Sequence, residues 1–289
     1  MNQTKALQIL ALSVLLIGCD TTNDPSSEVK ESRAHIRPSW SPDGKTIAYA
    51  VITGSQTGIY LVDTSGANVR LLHAGYSIGC SWSPDMKWVV YQQYGSLYKT
   101  TTTGDSTVRL TTSSYDLRPA WSPDGKKIAY NRQGLWVFDV VTSTTTNIYD
   151  GLDFPSWHPN GEVTVVDFMT SASGNFITYY FYAVNIDSAK ARVLCSFTSG
   201  DILGSSAVSP AGSNPQEFVL GLLPFDGNAQ VWKINLLTGS QTKLTDDGGD
   251  YAAYSPDGTK IVYTRTQFGD GGLWIMNSDG TGKHRLTTP

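Results

Sequence analysis

A short turn phrase recurs along this chain and fixes most of what the chain can become. Trp40-Ser41-Pro42-Asp43-Gly44 returns as Trp82-Ser83-Pro84-Asp85, as Trp121-Ser122-Pro123-Asp124-Gly125 and as Trp157-His158-Pro159-Asn160-Gly161. Weaker copies stand at Val208-Ser209-Pro210 and Tyr254-Ser255-Pro256-Asp257-Gly258. The proline presets φ and the glycine tolerates positive φ, so each copy is a tight reversal. The period is about 40 residues, and short alternating strand patterns fill the intervals, which signals four-stranded propeller blades. The expected fold is all-β: a six-bladed β-propeller of four-stranded antiparallel blades.

Each repeat reads alike. Strand a ends at the Trp. Strand b follows as Thr46-Ile47-Ala48-Tyr49, Val89-Val90-Tyr91, Ile128-Ala129-Tyr130 and Ile261-Val262-Tyr263. Strand c carries Tyr60, Tyr98, Trp136, Tyr182, Trp232 or Trp274, and strand d ends the unit with Arg70-Leu71, Arg109-Leu110, Lys243-Leu244 or Arg285-Leu286. Every tryptophan except Trp88 falls in a strand a or strand c slot. Middle strands of a blade are covered on both faces, so these rings are read as packing and not as a sugar-stacking platform. Six full units occupy the chain and no terminus lends a strand to another blade, so ring closure should rest on packing between blades 1 and 6.

The N-terminus reads as an address. Lys5 precedes an apolar run, Ala6 to Ile17, too short to span a bilayer comfortably. Leu16-Ile17-Gly18-Cys19 then resembles a bacterial lipobox. The expectation is a lipoprotein signal peptide over 1–18, a lipidated Cys19 with a flexible tether over 19–35, and the propeller over 36–289. Bacterial lipoproteins carry two or three acyl chains, so the resemblance implies stable anchoring to a membrane, facing the periplasm or the cell exterior. The formal net charge is −4, without a cluster of Lys or Arg, which argues against a nucleic-acid partner. Cys80 on an inner strand and Cys195 on an outer strand of another blade are too far apart to bond, so two free, buried thiols are expected.

Catalytic chemistry is thinly represented. Gly75-Tyr76-Ser77-Ile78-Gly79 matches a nucleophile-elbow string, but that elbow needs a helix after its serine, and here a strand runs on into Trp82. Asp246, Asp247, Asp250 and Asp270 lie in glycine-rich turns that could hold Ca²⁺ weakly, yet Asp-Gly is also ordinary turn chemistry. No cofactor, metal site or catalytic residue is assigned, and the chain is read as non-enzymatic.

Trp-Ser-Pro-Asp-Gly-Lys-x-Ile-Ala-Tyr followed by Ile-Tyr and Arg-Leu-Thr resembles the TolB-type β-propeller repeat. The resemblance implies a propeller that docks proteins or peptides of the cell envelope. The face available for this is the channel mouth, where the d-to-a loops and the first residues of each strand a gather: His35, Arg37, Tyr76, Ser77, Asp116, Arg118, Asp153, Phe154, Asp201, Asp250 and Tyr251. The b-to-c loops share that face, expected longest in blades 4 to 6, with Phe225 and Phe268 near their tips. The leading expectation is a monomeric, lipid-anchored, protein- or peptide-binding scaffold. Its rival is a glycan-binding or glycan-processing propeller that uses Asp116, Asp153, Asp201 and Asp250.

Overall fold

The computed structural model describes residues 34–52, 56–171, 176–203, 217–224, 227–265 and 272–288. Blade 1 comprises β1 (His35–Trp40), β2 (Thr46–Val51), β3 (Gly58–Asp63) and β4 (Arg70–Ala74). Blade 2 comprises β5 (Ser77–Trp82), β6 (Trp88–Gln93), β7 (Ser96–Thr101) and β8 (Thr107–Arg109). Blade 3 comprises β9 (Leu117–Trp121), β10 (Lys127–Asn131), β11 (Gly134–Asp139) and β12 (Thr145–Asp150). Blade 4 comprises β13 (Asp153–Trp157), β14 (Val163–Thr170), β15 (Ile177–Asn185) and β16 (Lys190–Ser199). Blade 5 comprises β17 (Ile202–Leu203), β18 (Glu217–Leu223), β19 (Gln230–Asn235) and β20 (Gln241–Lys243), and blade 6 comprises β21 (Asp250–Tyr254), β22 (Lys260–Arg265), β23 (Gly272–Asn277) and β24 (His284–Arg285). Each blade is one antiparallel sheet whose strands pair in chain order. The expected six-bladed propeller is the observed fold.

The repeated phrase builds the corner between strands a and b. The Ser41 hydroxyl donates to Asp43 Oδ1 at 2.6 Å and accepts the Thr46 amide at 2.9 Å. Asp43 Oδ1 also accepts the Lys45 amide at 3.1 Å, and Gly44 closes the corner at φ 69°. The same Ser–Asp bond recurs in the pairs Ser83–Asp85, Ser122–Asp124 and Ser255–Asp257. Serine and aspartate thus replace the ladder bonds that the turn interrupts, which is why their spacing is fixed. In blade 4 His158 and Asn160 take over, the Asn160 amide donating to His158 Nδ1 at 3.2 Å. The Val208-Ser209-Pro210 copy lies outside the described residues.

Strand b explains the closure of the ring. Its two faces feed different blade interfaces, because successive side chains point to opposite sides. Ile47, Tyr49 and Val51 pack with blade 6, while Ala48 and Ala50 pack with blade 2. Tyr91 turns likewise toward blade 1, Tyr130 toward blade 2 and Tyr263 toward blade 5. The strand a aromatics take the same side: Trp40, Trp82, Trp121 and Tyr254 join the cluster shared with the preceding blade. Among the described residues, the apolar clusters fall one to each blade interface, including that between blades 6 and 1.

Indole hydrogen bonds run the same way. Trp82 Nε1 donates to the Ser39 carbonyl at 3.1 Å and Trp157 Nε1 to the Ala120 carbonyl at 2.9 Å. Trp40 Nε1 donates to the Ala253 carbonyl at 3.1 Å, so the seam between the first and last blades carries the bond used elsewhere in the ring. His35 Nδ1 lies 2.7 Å from Thr287 Oγ1 and adds a second tie across that seam.

Three expectations need correction in detail. The strand c aromatics pack against the interface clusters as expected, but Tyr60, Tyr98, Trp136, Tyr182, Trp232 and Trp274 are all only half-buried. Cations cover some of them, with Arg109 5.8 Å from the Tyr98 ring centre, Arg132 4.5 Å from Trp136 and Arg265 4.7 Å from Trp274. Strand c stands farther from the axis, where blades diverge and leave one ring face for a guanidinium. Both thiols are free, but only Cys80 is buried; Cys195, on outer strand β16, is half-buried. Burial pushes the Cys80 thiol up to about 12. Finally, the b-to-c connection of blade 1, residues 52–57, equals those of blades 4 to 6 (171–176, 224–229 and 266–271) in length. Phe225 and Phe268 lie outside the described residues.

Two stability measurements follow. Met86 occupies the glycine slot of the blade 2 corner at φ 59° and is exposed. Met86→Gly should therefore stabilise the chain by about 0.5–1 kcal/mol in urea unfolding, since a left-handed residue with a Cβ costs about 1–2 kcal/mol. Trp40→Phe removes the seam's indole bond and should cost about 1 kcal/mol or more in urea unfolding, as Trp82→Phe should between blades 1 and 2. A Trp40→Phe variant as stable as wild type would contradict the closure argument.

Candidate functional site

Each inner strand with a fully described start breaks its register with a bulge before its aromatic. The shift lies between Ile36 and Ser39 in β1, between Ile78 and Ser81 in β5, and between Asp250 and Ala253 in β21, with matching breaks in β9 and β13. The bulged residue has positive φ every time: Arg37 at 52°, Gly79 at 63°, Arg118 at 54°, Phe154 at 54° and Tyr251 at 49°. Only Gly79 adopts this conformation without strain. A bulge re-aims its side chain, and consecutive inner strands pack against one another around the axis. These five positions therefore meet at the centre.

The side chains they bring together are two cations and two rings. The Arg37 guanidinium lies 5.0 Å from the centre of the Tyr251 ring, and that of Arg118 lies 4.2 Å from the Phe154 ring. A Cβ on Gly79 would sit 3.8 Å from Arg37 Cδ and 3.9 Å from Arg118 Cα, so the glycine separates the arginines by little more than its own backbone. Arg118 Nη1 donates to both Asp153 oxygens, at 3.0 and 2.8 Å, with both side chains nearly buried. Burial pulls the Arg118 guanidinium below its ordinary value; Asp153 opposes this and the like charge of Arg37 adds to it. Burial likewise raises the Tyr251 hydroxyl, against the pull of Arg37.

Two aspartates hold the strained bulges. Asp153 Oδ1 accepts the Phe154 amide at 2.7 Å, and Asp250 Oδ1 accepts the Tyr251 amide at 2.8 Å. Each carboxylate satisfies the amide that the bulge removes from the ladder.

The remaining candidates lie apart from this cluster. His35 is buried in the blade 1–6 seam, its ring 5.1 Å from that of Tyr49. Asp116 is fully buried and accepts Arg132 Nε and Nη2 at 2.6 and 2.9 Å, tying the d-to-a connection to the b-to-c corner of blade 3. Asp201 accepts the Tyr179 hydroxyl on its backbone carbonyl at 2.9 Å. Ser77 has no exposed surface, and a strand follows it, so the nucleophile-elbow string forms no elbow. Asp246 pairs with Lys243 at 2.9 Å and Asp247 with Arg265 at 3.2 Å, while Asp270 lies outside the described residues, as does Cys19. Among the described residues no three His, Cys, Asp or Glu side chains gather as a metal site, and no helix is long and apolar enough to cross a membrane.

Tyr76 alone among the candidates is strongly exposed, and it has company that sequence reading missed. Tyr94 is 74% exposed in a b-to-c corner and Tyr115 64% exposed in a d-to-a connection. Tyr149 and Phe176 are exposed at the same end of blades 3 and 4. The signal available in sequence was an aromatic placed off the repeat's packing slots.

A model of the TolB beta propeller domain matches residues 19–202. The chain belongs to the TolB beta-propeller family. Solved structures agree on the fold. TolB from Acinetobacter baumannii is 16% identical with a TM-score of 0.57, over 87% of this chain and 62% of that one, so the present chain spans less than two thirds of it. The TolB described as putative from Agrobacterium tumefaciens is 19% identical with a TM-score of 0.61, over 76% and 84% of the two chains. An oligogalacturonate lyase in complex with manganese is also similar, at 14% identity and a TM-score of 0.53, over 88% and 77%. At such identities the likeness is one of fold, which hosts binding proteins and enzymes alike.

The central pair is open to a direct measurement. Asp153→Asn should cost about 3 kcal/mol in urea unfolding, because it leaves Arg118 nearly buried without its counterion. Adding Arg118→Gln to that variant should restore part of the loss.

Proposed function

We propose that this chain is a non-catalytic, monomeric scaffold of the bacterial envelope that binds a protein or peptide on its channel-mouth face. In this reading it is anchored through a lipidated Cys19 and a tether, and faces the periplasm or the cell exterior. One observation carries it. Among the described residues, every strongly exposed aromatic lies on the d-to-a and b-to-c end of the blades: Tyr76, Tyr94, Tyr115, Tyr149 and Phe176. The loops and corners of the opposite end expose only Val69, Met86, Val141 and Leu237 among large apolar side chains. Tyrosine gives a contact surface that is broad, rigid and tolerant of water, which is why it concentrates at protein interfaces. The five rings form an arc over blades 2 to 4 rather than a scatter.

The glycan reading draws less support. It needs carboxylates free to act, whereas Asp116 is bound to Arg132 and Asp153 to Arg118. Asp250 is buried and engaged on the bulge of β21.

The test is cross-linking capture by the full chain from its own envelope extract, beside a Tyr94→Ser, Tyr115→Ser double variant. Both rings are exposed, so the variant should unfold like wild type. One specific protein should be captured by wild type and reduced at least about tenfold in the variant, as hot-spot tyrosines at about 1–2 kcal/mol each imply. Enrichment of an oligosaccharide with no protein would replace this reading with the glycan one.

A further inference from the structure

The central arginines carry more hydrogen-bonding capacity than the protein uses. Both Arg118–Asp153 bonds come from Nη1, and Arg118 Nε is buried with no partner among the described residues. Among the described residues Arg37 makes no ion pair, and its Nε is buried without a hydrogen-bond partner. Its contacts are the ring and the hydroxyl of Tyr251, which steady the guanidinium without supplying a counterion. Such donors are normally satisfied, and a partly desolvated cation is normally paired. Two like charges are nonetheless held close across Gly79, close enough for Arg37 to disfavour the charge on Arg118.

The backbone shows that this placement is costly. Arg37, Arg118, Phe154 and Tyr251 all sit in the left-handed region, at about 1–2 kcal/mol each. In blade 2 the bulge is a glycine, so no side chain stands against the Arg37 stem and the Arg118 backbone at that point. The neighbouring Asp250 carboxylate is occupied by the Tyr251 amide, and Asp153 is shared between Arg118 and the Phe154 amide. Of the two arginines only Arg118 has a carboxylate partner among the described residues, and a guanidinium fork matches a carboxylate.

We propose that Arg37 and Arg118, across Gly79, form a carboxylate-binding subsite at the centre of the channel mouth, taking an acidic side chain or the C-terminal carboxylate of the docked segment. The proposal rests on the protein- or peptide-binding reading above and specifies its chemistry. The aromatic arc would hold the apolar part of the segment while the arginines fix its acidic group. The subsite is a positioning device for a ligand and requires no bond to be made or broken.

The experiment is calorimetric titration of the full chain with four probes. N-acetylglycine presents an α-carboxylate, and N-acetylglutamate α-amide presents a side-chain carboxylate. N-acetylglutamine amide is the neutral control, and D-galacturonate is the sugar acid. At least one peptide carboxylate should bind, at least about tenfold more tightly than the neutral amide, with an affinity that falls as salt is raised. Arg37→Gln should weaken that binding about tenfold or more, and Arg37→Lys should recover only part of it. Should Arg37→Gln not fold, the Nε resonance of Arg37 in ¹⁵N-labelled wild type must shift with the carboxylate and not with the amide. Indistinguishable binding of carboxylate and amide would overturn the subsite, as would an Arg37→Gln variant that binds like wild type. Galacturonate binding more tightly than both peptide carboxylates would overturn the peptide assignment. A protein captured equally by wild type and Arg37→Gln, without carboxylate binding, would overturn the subsite and leave docking standing; carboxylate binding without any captured protein would do the reverse.

Discussion

Everything in this molecule depends on a directional contact between neighbouring sheets. The ring at the end of strand a and the tyrosine of strand b both face the preceding blade, while small residues such as Ala48 and Ala50 face the next. Each interface is head-to-tail, and a head-to-tail contact either closes into a ring or continues without limit. Closure therefore needs no special device. The seam between blades 6 and 1 is made by Trp40 and Tyr49 in the roles that Trp82 and Tyr91 play between blades 1 and 2. Where the pattern fails the chain compensates: the interface of blades 4 and 5 is built from Phe154, Tyr179, Phe181 and Phe218, with Phe181 and Phe218 meeting edge-on at 5.2 Å.

The same geometry creates the centre. Inner strands that converge on an axis cannot all keep regular register and also project side chains inward. The bulge before each aromatic resolves this by turning one residue toward the axis, at the expense of a left-handed backbone. A purely structural bulge would be easiest with glycine at every copy. Blade 2 shows that glycine fits, yet blades 1, 3, 4 and 6 place Arg, Arg, Phe and Tyr there. Side chains placed there despite backbone strain are what the carboxylate-subsite proposal builds on.

How much of this was legible beforehand divides along the same line. The fold was legible because its determinants are local: proline and glycine fix the corner, and Ser41 and Asp43 complete it within five residues of chain. The inner tryptophans and strand b tyrosines were legible because they repeat. The half-burial of Trp136 and Trp274 was not, since it follows from how far apart blades stand at the third strand, a distance no residue encodes. Arg37, Arg118, Phe154 and Tyr251 stood among the residues expected at the mouth, but their pairing depends on bulges that the sequence pattern does not mark. Tyr94 and Tyr115 were overlooked because an aromatic outside the repeat's slots looks like noise until both ends of the blades can be compared.

The contents of the channel also decide how a partner could engage. Rings and guanidiniums meet near the axis: Phe154 is buried beneath Arg118, and Tyr251 packs against the core shared by blades 1 and 2. The polar demand there is carried by two cations, and the exposed aromatic surface lies outside them in the arc from Tyr76 to Phe176. This is the inverse of a common interface, where an apolar centre is ringed by polar contacts. It arises because a propeller's centre is lined by strand starts, whose backbones are already bent, while its loops supply the rings. Specificity would thus sit at the axis and contact area at the rim.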